Sequence, residues 1–412
     1  MSKLHVLIVG YVWVAPNSSA AGSRMLQLIN LFLKQDYNVT FACAANKPEN
    51  AFNLTSIGVK ETVIALNDSS FDVFIKELQP TIVMFDRFMI EEQFGWRVAE
   101  NCPSALRVLD TEDLHFLRKF RQQQLKKKEA FNKQELLGFK DAKREIAAIL
   151  RCDVTLIIST FEMNLLKEVF KIDDKILCYL PFLLDKIDTA HQNKWLPFKE
   201  RAHFVFIGNF FHQPNVDAVL TLKKEIWPLI KTRLPEVEMH VYGAYATQQI
   251  NELHHKKEGF LVKGFVEDAV EVVEKAKVVL APLRFGAGIK GKLTEAMLCG
   301  TPSVTTSIGA EGMSGTLPWN GFVEDNFKQF SEHAIQLYSN EQTWHLSQEN
   351  GVKIVDQIYD KEKIQPLFIH KINETIRNLK THRLHNFMGS LLQHHTLQST
   401  KYMSKWIEVK NS

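Results

Sequence analysis

The sequence predicts an α/β protein made of two doubly wound parallel-sheet domains that face each other across a cleft. Two series of short apolar runs, rich in β-branched residues and separated by segments with helical spacing, indicate repeated βαβ units. A polar, proline-containing stretch between Asp185 and Arg201 separates the two series as a linker does. The length of 412 residues also favours more than one domain.

The first series predicts a domain over residues 1–185. Its strands are expected at "HVLIV", "NVTFACA", "ETVIAL", "TIVMFD", "ALRVLD", "VTLIIST" and "KILCYLPF". Leu26, Ile29 and Leu33 recur at helical spacing after the first strand. Between Arg118 and Leu150, Lys, Arg and Gln are frequent and strand formers are few, so we expect one or two helices there.

The second series predicts a domain over residues 201–375, joined to the first by a linker over 186–200. Its strands are expected at "HFVFIGNF", "MHVYGA", "GFLVKGFV", "KVVLAPL" and "PSVTTS". Ligands of doubly wound sheets bind beyond the carboxyl ends of the strands. The residues that follow these strands are therefore the first candidates for a functional site.

Composition excludes several classes of protein. A net charge of +3 gives no nucleic-acid footprint without a clustered basic face. The cysteines are odd in number, scattered and free of CxxC spacing, so neither a disulfide framework nor a structural zinc site is expected. They are Cys43, Cys102, Cys152, Cys178 and Cys299. Reduced thiols fit a cytoplasmic protein best.

The amino-terminal residues have two interpretations. Lys3, the run "LHVLIVGYVWVA" and the small residues "SSAAGS" resemble the regions of a signal peptide. We favour a buried first strand over Leu4 to Val9, because the run is short and β-branched. No run approaches the roughly 18 apolar residues of a membrane-spanning helix, so we expect a soluble protein, at most bound to the inner face of a membrane.

The stretch "APLRFGAGIKGKLTEAM" from Ala281 to Met297 has the most informative local composition. It interleaves three basic residues with three glycines, namely Arg284, Lys290, Lys292, Gly286, Gly288 and Gly291. It also lies between a predicted strand and a predicted helix, where unpaired amides and the helix dipole attract anions. Glycines admit a ligand close to the backbone, so the stretch predicts a phosphate or pyrophosphate site. A solvated turn is the alternative.

Two related motifs are excluded, and one acid has a separate expected role. The spacing in "GAGIKGKLT" is not that of a Walker A loop, and "VGYVWVAPN" lacks the GxGxxG of nicotinamide and flavin enzymes. Glu295 lies about one turn into the predicted helix, too far along to approach a phosphate. A carboxylate there suits the two hydroxyls of a ribose.

The segment "APLRFGAGIKGKLTEAMLCGTPSVTTSIGAEGM" resembles the donor-site segment of the retaining GT-B glycosyltransferases of family 4. Further similar pieces are "APNSSAAGSR", "DTEDLH", "FIGNFFHQPNVDA" and "VKGFVEDAVEVVEKAKVVLAPL", so the resemblance covers most of the chain. It implies a GT-B fold and sugar transfer from a nucleotide-diphosphate sugar with retention at the anomeric carbon. It also implies no metal and no other cofactor. The closing "YMSKWIEVKN" resembles the GT-B terminal helix, so we expect residues about 376–412 to return to the first domain.

The resemblance also assigns roles within the donor segment. Glu295 matches the second acid of the family's E-x7-E pattern, which holds the donor ribose. Arg284, Lys290 and Lys292 occupy the region that neutralises the diphosphate, with Gly286 and Gly288 beside them. The first acid of the pattern falls on Ala287 here. This departure removes the usual carboxylate contact to the donor sugar, and backbone amides of "GAG" are one replacement.

A histidine after a predicted strand completes the catalytic candidates. His115 in "LDTEDLHFL" matches the family histidine that lines the cleft near the reacting sugar. Its implied role is hydrogen bonding or support of transition-state charge, and a structural histidine is the alternative. The neighbouring Asp110, Glu112 and Asp113 suggest a DxD-like metal site, which we disfavour because no ligand histidines or cysteines cluster there.

Other candidates lie at predicted strand ends. Gly22 and Arg24 fall in the loop that the family places against donor phosphates or acceptor; the alternative is a turn with a solvated arginine. Asp86 and Arg87 follow "TIVMF" and are acceptor-side candidates or an ion pair. Asn209 lies in a loop that approaches the donor in this family, together with His212 and Asn215. Helix capping by Asn215 also explains that loop.

The segment 118–144 carries ten Lys or Arg against three Asp or Glu. Such a face suits peripheral contact with anionic lipid and hence a lipid-linked acceptor. A solvated helix is the alternative, because apolar anchors such as Phe120 and Phe131 are few.

The sequence therefore predicts a glycosyltransferase that acts on a glycan, lipid-linked or other acceptor. Two alternatives stay open: another GT-B enzyme, such as a sugar-nucleotide epimerase or phosphorylase, and a degenerate GT-B module that binds nucleotide or glycan as a partner protein. A nucleic-acid partner is not expected, because the basic residues lack aromatic interleaving. The sequence predicts neither the base, the sugar, the acceptor, the linkage nor the oligomeric state.

Overall fold

The structure is a computed structural model that describes residues 3–49 and 51–394 and the single positions 399, 402, 403, 406, 407 and 410. Its described residues form two parallel sheets of seven and six strands, each packed between helices. The predicted fold of two doubly wound domains is confirmed.

The first sheet has the strand order β3-β2-β1-β4-β5-β6-β7, and neighbouring strands are parallel. The strands are β1 (His5–Gly10), β2 (Asn38–Cys43), β3 (Lys60–Val63), β4 (Ile82–Asp86), β5 (Leu106–Asp110), β6 (Val154–Ile157) and β7 (Leu177–Tyr179). Strands β1, β4, β5 and β6 are almost entirely buried, as expected for a parallel sheet covered on both faces.

Six helices from the first half of the chain pack on this sheet. They are α1 (Ala20–Lys34), α2 (Ser70–Leu78), α3 (Phe88–Asn101), α4 (His115–Lys127), α5 (Lys140–Arg151) and α6 (Thr160–Glu168). Helix α1 begins where the Ser19 hydroxyl accepts a hydrogen bond from the Gly22 amide. The basic segment 118–144 falls on α4, α5 and the 3₁₀ turn Lys133–Gly138 between them, so the prediction of one or two helices there is confirmed.

The chain crosses between the domains at two adjacent places. The predicted linker 186–200 contains one short helix, α7 (Thr189–Gln192). Just before it, the Leu184 amide donates to the Tyr359 carbonyl at 2.9 Å, and the Lys361 amide donates to the Leu184 carbonyl at 2.9 Å. The segment that leaves the first domain and the segment that returns to it are therefore hydrogen-bonded to each other.

The second sheet has the strand order β10-β9-β8-β11-β12-β13. Its strands are β8 (Ala202–Ile207), β9 (Met239–Tyr242), β10 (Phe260–Gly264), β11 (Ala276–Ala281), β12 (Ser303–Thr305) and β13 (Gly321–Val323). Its helices are α8 (Gln213–Thr221), α9 (Trp227–Arg233), α10 (Gln248–Asn251), α11 (Ala269–Lys275), α12 (Gly291–Leu298), α13 (Ser307–Ala310), α14 (Phe327–Ser339) and α15 (Glu341–Ile354). Strand β13 was not predicted.

The chain returns to the first domain earlier than residue 376, which corrects the sequence prediction. Three helices follow the crossing: α16 (Lys361–Arg377), α17 (Leu379–His385) and α18 (Phe387–His394). Phe368 and Ile372 of α16 are buried in the core of the first domain. Their apolar contacts there, rather than the terminal residues, start the return. Most of the predicted terminal helix beyond His394 lies outside the described residues.

The carboxyl ends of the two sheets face each other. The loop after β11 reaches the first domain, and its Ala287 packs with the core of that domain. Among the described residues, no helix is long and apolar enough to cross a membrane.

Candidate active site

The glycine-rich loop 282–290 lies between β11 and α12, as predicted. Gly288 has φ of +63°, a conformation that side-chain-bearing residues rarely adopt. A Cβ atom at Gly288 would lie 2.8 Å from the Cβ of Asp113 in the first domain. Glycine at this position therefore permits both the turn and the close approach of the domains.

Lys290 lies at the end of this loop, where α12 begins. It is 8% exposed, and its Nζ donates a hydrogen bond to the Gly288 carbonyl at 2.7 Å. Burial lowers the pKa of Lys290 to about 8, although Glu311 opposes the shift. The lysine is thus close to losing its charge near neutral pH.

Lys292, in the first turn of α12, has a similar environment. Its Nζ donates to Asn215 Oδ1 at 2.6 Å and lies 4.0 Å from the centre of the Phe206 ring. A Cβ at Gly208 would lie 2.8 Å from this Nζ, so glycine makes room for the ammonium. Burial lowers the pKa of Lys292 to about 7, opposed by Glu295.

Glu295 lies in the second turn of α12. Burial raises its pKa to about 7, helped by Asp268 and opposed by Lys292. Its carboxylate has no hydrogen-bond partner among the described residues. An acceptor group with spare capacity therefore lies one turn after Lys292.

Arg284, placed by the resemblance in the region that neutralises the diphosphate, is already paired with a carboxylate. Its Nε donates to Asp217 Oδ2 at 2.8 Å, and its Nη2 also pairs with that carboxylate. The side chain is 35% exposed. An anionic ligand would have to displace Asp217 before Arg284 could bind it with its full charge.

His115 begins α4 on the first-domain side of the cleft. Its Nε2 lies 3.4 Å from Asp113 Oδ1, and its ring meets Phe88 edge to face. Burial lowers the pKa of His115 to about 3, against the opposing effect of Asp113. Burial likewise lowers the pKa of His212, from the second domain, to about 3. Both imidazoles are therefore neutral at pH 7.

Asp86 and Arg87 lie at the carboxyl end of β4 and form the ion pair that was one of their two interpretations. Arg87 Nε is 3.5 Å from Asp86 Oδ1, and its guanidinium lies 4.9 Å from the Tyr11 ring centre. Arg87 has φ of +72°, an uncommon backbone conformation that clusters at functional sites. An acceptor-side role stays a prediction.

Arg24 is buried, which corrects the alternative of a solvated arginine, while a role of its loop toward donor or acceptor stays a prediction. It is 1% exposed; its Nε and Nη2 donate to Asp110, and its Nη1 donates to the Leu180 carbonyl at 2.7 Å. A buried guanidinium needs such partners, so Arg24 joins α1 to the end of β5. Gly22 is packed close, since a Cβ there would lie 2.4 Å from the Ala15 carbonyl oxygen.

Asn209 joins the two domains. Its Nδ2 donates to the Ser18 carbonyl at 3.1 Å, and its Oδ1 accepts from the Phe211 amide. Asn215 donates to the Asn209 carbonyl at 2.8 Å and accepts from Lys292. Asn215 therefore links Asn209 to the lysine and does not cap α8, whose cap position is His212.

Two residues of the first domain bind the glycine-rich loop and were not predicted. Glu162 of α6 is 0% exposed, and its Oε1 accepts from the Gly288 amide at 2.9 Å and the Leu114 amide at 2.8 Å. Arg121 of α4 donates to the Gly286 carbonyl at 2.9 Å and pairs with Glu311. No motif marks either residue, and their loop partners lie more than a hundred residues away in the chain.

Burial raises the pKa of Glu162 to about 7, with Asp113 adding to the shift and Lys290 opposing it. Its Oε2 is buried without a hydrogen-bond partner among the described residues. The loop is therefore bordered by an acid and a lysine that both titrate near neutrality.

Three exposed aromatic residues follow β8, β9 and β10 at the carboxyl edge of the second sheet. They are Phe211, Tyr245 and Phe265. The Phe211 and Tyr245 rings stack with centres 4.2 Å apart. Aromatic faces of this kind can stack against a base or a sugar ring.

A possible metal-ligand group lies away from the cleft. Within the described part of the chain, His203, Glu238 and His240 bring their ligand atoms within 4.8 Å of one another. They lie at the amino ends of β8 and β9, opposite the glycine-rich loop.

The acids of the disfavoured DxD-like site have basic partners. Asp110 pairs with Arg24 and Asp113 pairs with Arg118.

Solved structures show which fold these facing sheets define. The chain is similar to sucrose-phosphate synthase from Thermosynechococcus elongatus, with 14% identity and a TM-score of 0.66 over 92% of this chain and all of that one. It is also similar to Anabaena HepE in complex with UDP-glucose, with 13% identity and a TM-score of 0.64 over 91% of this chain and all of that one. The protein has the GT-B fold.

The family match falls on the second domain. Residues 201–340 match the family described as glycosyl transferases group 1. A relative from Klebsiella pneumoniae, described as an uncharacterized 44.6 kDa protein in cps region, is 22% identical over 294 residues. The match covers 68% of this chain and 72% of that protein.

Proposed function

We propose that this protein transfers a sugar from a nucleotide-diphosphate sugar to a glycan, lipid-linked or other acceptor, with retention of anomeric configuration and without a metal. One observation carries the proposal. Lys290, Lys292 and Glu295 all lie at the cap and in the first two turns of α12, within a domain that matches the group 1 glycosyltransferases. Two cations and a helix start suit a diphosphate, and an acid one turn further suits a ribose.

The charge state of the site supports its use as a diphosphate clamp. Each lysine has a lowered pKa because burial removes it from water. A bound diphosphate would supply the missing negative charge, keep Lys290 in the ammonium form and shift Lys292 toward it. The same charges would then stabilise the diphosphate as it leaves the sugar. Arg284 would join them after exchanging Asp217 for the phosphate.

The first domain would supply the other wall of the reaction site. His115 is neutral, so its ring can donate a hydrogen bond from one nitrogen and accept at the other. It suits hydrogen bonding to the transferred sugar better than acting as a cation. Asp86 and Arg87, at the end of β4, are the residues that we assign to the acceptor side.

The donor is also supported by a structural neighbour. HepE from Anabaena is described in complex with UDP-glucose, which makes a uridine diphosphate sugar the first donor to test here.

We place the protein in the cytoplasm, because its five cysteines are free and four of them are buried.

Thermal unfolding with UDP, GDP, ADP and dTDP tests the proposal, using the wild type and Lys290→Ala. A nucleotide at 100 times its dissociation constant stabilises the protein by about 2.7 kcal/mol. We expect one nucleotide to raise the Tm of the wild type but not of the variant. If no nucleotide raises it, the donor site is refuted and the partner-protein alternative takes its place.

Product analysis separates transfer from the other enzyme alternatives. We expect the donor sugar to appear on an added glycan or lipid-linked acceptor with its anomeric configuration retained. Conversion of the donor in the absence of any acceptor would instead indicate an epimerase.

A further inference from the structure

Helices α17 and α18 carry an apolar surface that the described residues leave uncovered. Leu384 is 71% exposed, Phe387 70%, Met388 53% and Leu391 47%. We call these four side chains the α17–α18 face. Within α18, Phe387 and Met388 lie four and three residues before Leu391 and therefore on the same side of the helix. Leu384 lies just before them, in the last turn of α17. Tyr402, Met403, Trp406 and Ile407 further along are also exposed.

The orientation of α18 follows from its contacts with α5. A Cβ at Gly389 would lie 2.1 Å from the Leu150 carbonyl oxygen, so α18 packs on the end of α5 through a glycine. The Asn386 Nδ2 donates to the same carbonyl at 2.7 Å, and the Gln393 Nε2 donates to the Arg151 carbonyl at 3.2 Å. The polar and small residues hold the helix to the first domain, and the large apolar residues point away from it.

The charge of this part of the chain is one-sided. The sequence contains no Asp or Glu between Glu374 and Glu408. The same stretch holds five Lys or Arg and four His, namely Arg377, Lys380, Arg383, Lys401, Lys405, His382, His385, His394 and His395. Arg383 pairs with Asp153, whereas Lys380 is exposed. An apolar face thus lies in a stretch that itself contains basic residues and no acid, with Arg383 neutralised by Asp153 of the first domain.

The apolar exposure and the basic charge together indicate what binds to the α17–α18 face. A second copy of the chain would bring the same positive charge into contact, which opposes self-association. An anionic lipid surface is complementary in both respects, because its acyl chains accept apolar side chains and its headgroups attract Lys and Arg. We propose that the α17–α18 face lies in the headgroup region of a membrane rich in anionic lipid, holding the protein at the surface without spanning it.

The segment 118–144, predicted to contact lipid, differs from this face. Its Phe120, one of the two expected apolar anchors, is buried, and its lysines at 126–128 are exposed. It offers charge with fewer apolar contacts, which makes these lysines a useful comparison.

Cosedimentation with vesicles tests the proposal on the full chain. The vesicles are phosphatidylcholine alone and phosphatidylcholine mixed with phosphatidylglycerol. We expect the wild type to bind the mixed vesicles at least about tenfold more tightly, and high salt to weaken that binding. The variant Leu384→Ser/Phe387→Ser/Leu391→Ser should lose at least about tenfold in affinity. Leu367→Ser is the matched control, since Leu367 is equally exposed at 71% on α16, and it should bind as the wild type does.

Four outcomes would overturn the proposal. The wild type fails to bind mixed vesicles, or the triple variant binds them as tightly as the wild type. A third outcome is that Lys126→Gln/Lys127→Gln/Lys128→Gln loses vesicle binding while the triple serine variant keeps it. That result would assign lipid contact to the segment 118–144. Light scattering shows a dimer that the triple variant converts to monomer without any vesicle binding, which would make a second copy the occupant. An unchanged Tm confirms that the variants are folded. No donor enters this experiment, so its result is independent of the proposed function.

Discussion

Lys290 and Lys292 are charged groups placed where water cannot solvate them well. Burial lowers the pKa of each by more than two units from the usual 10.5, to about 8 and about 7. Such an arrangement costs stability in the free protein whenever the lysines are protonated. Binding of a ligand that carries two phosphates would offset that cost.

We expect Lys290→Ala and Glu295→Ala each to reduce turnover by at least about tenfold while leaving the fold intact. In the proposed mechanism the lysine stabilises the departing diphosphate and the acid binds the ribose. Steady-state kinetics with the nucleotide sugar identified by thermal unfolding measures the effect. Lys275→Ala, an exposed lysine on α11, should keep wild-type turnover. Wild-type turnover in both site variants would remove the site from the mechanism.

The pH dependence of nucleotide binding should report on Lys292. Its pKa of about 7 in the free protein means that it is largely neutral at pH 8. A bound diphosphate favours the ammonium form, so binding at pH 8 should take up a proton and affinity should fall as pH rises through 7 to 8. Calorimetry of UDP binding in buffers of different ionisation enthalpy measures this uptake. Lys292→Met should bind more weakly with less proton uptake, and equal uptake in the variant would contradict the assignment.

At the scale of elements, the strand–loop–helix unit around residues 282–290 is completed by the other domain. Glu162 from α6 accepts from the Gly288 amide, and Arg121 from α4 donates to the Gly286 carbonyl. Ala287 lies between these two contacts and packs against the first domain. Ala287, where the resemblance to family 4 would place an acid, is therefore used for domain contact, which explains why a small apolar residue fits.

We expect Glu162→Ala to lower the free energy of unfolding by about 1–3 kcal/mol, because the Gly288 and Leu114 amides lose a buried acceptor. Glu162→Gln keeps an acceptor oxygen and should cost less. Urea unfolding of both variants at several pH values measures these costs. Glu168→Ala, at an exposed position of the same helix, is the control.

The pH dependence of stability tests whether Glu162 is protonated in the folded protein. The pKa of Glu162 is raised from 4.5 to about 7 in the folded protein, so its favourable contribution is complete below pH 4.5 and is lost as pH rises through 7. The wild type should therefore lose stability between pH 5 and pH 8 relative to Glu162→Gln. A difference that is constant over this range would show that Glu162 is ionised throughout.

At the scale of the whole molecule, the two domains are joined by more than the linker. The chain segments at Leu184 and Tyr359 are hydrogen-bonded where they cross. Helix α16 then packs on the first domain, with Phe368 against Phe32 at 5.9 Å between ring centres. The first domain is therefore incomplete without residues from the far end of the chain.

We expect Phe368→Ala to destabilise the first domain by about 3–5 kcal/mol, the cost of removing a buried aromatic side chain. Leu367→Ala changes the adjacent residue, which is 71% exposed, and should have little effect. Amide hydrogen exchange reports on each domain separately. In Phe368→Ala, the amides of β1 and α1 should exchange faster than in the wild type. Similar exchange in both variants would mean that α16 is not part of the first-domain core.

The predicted strands, the order of the domains and the glycine-rich turn before α12 could be obtained from sequence because each depends on local pattern. Burial of β1, β4 and β11 on both faces makes them continuous apolar runs. The turn at Gly288 needs a residue that tolerates positive φ, and glycine marks it directly. Only the short strand β13, of three residues, left too weak a pattern to be predicted.

The sequence by itself determined the two-domain α/β architecture and the presence of a basic, glycine-rich site at a helix start, since residue spacing and backbone preference encode both. Tertiary structure alone decided which charges are available there. It buried Arg24 against Asp110, paired Arg284 with Asp217 and brought Glu162 to Gly288. The partners in each of these contacts lie between 67 and 126 residues apart, and no local pattern specifies which distant side chain will neutralise a buried charge.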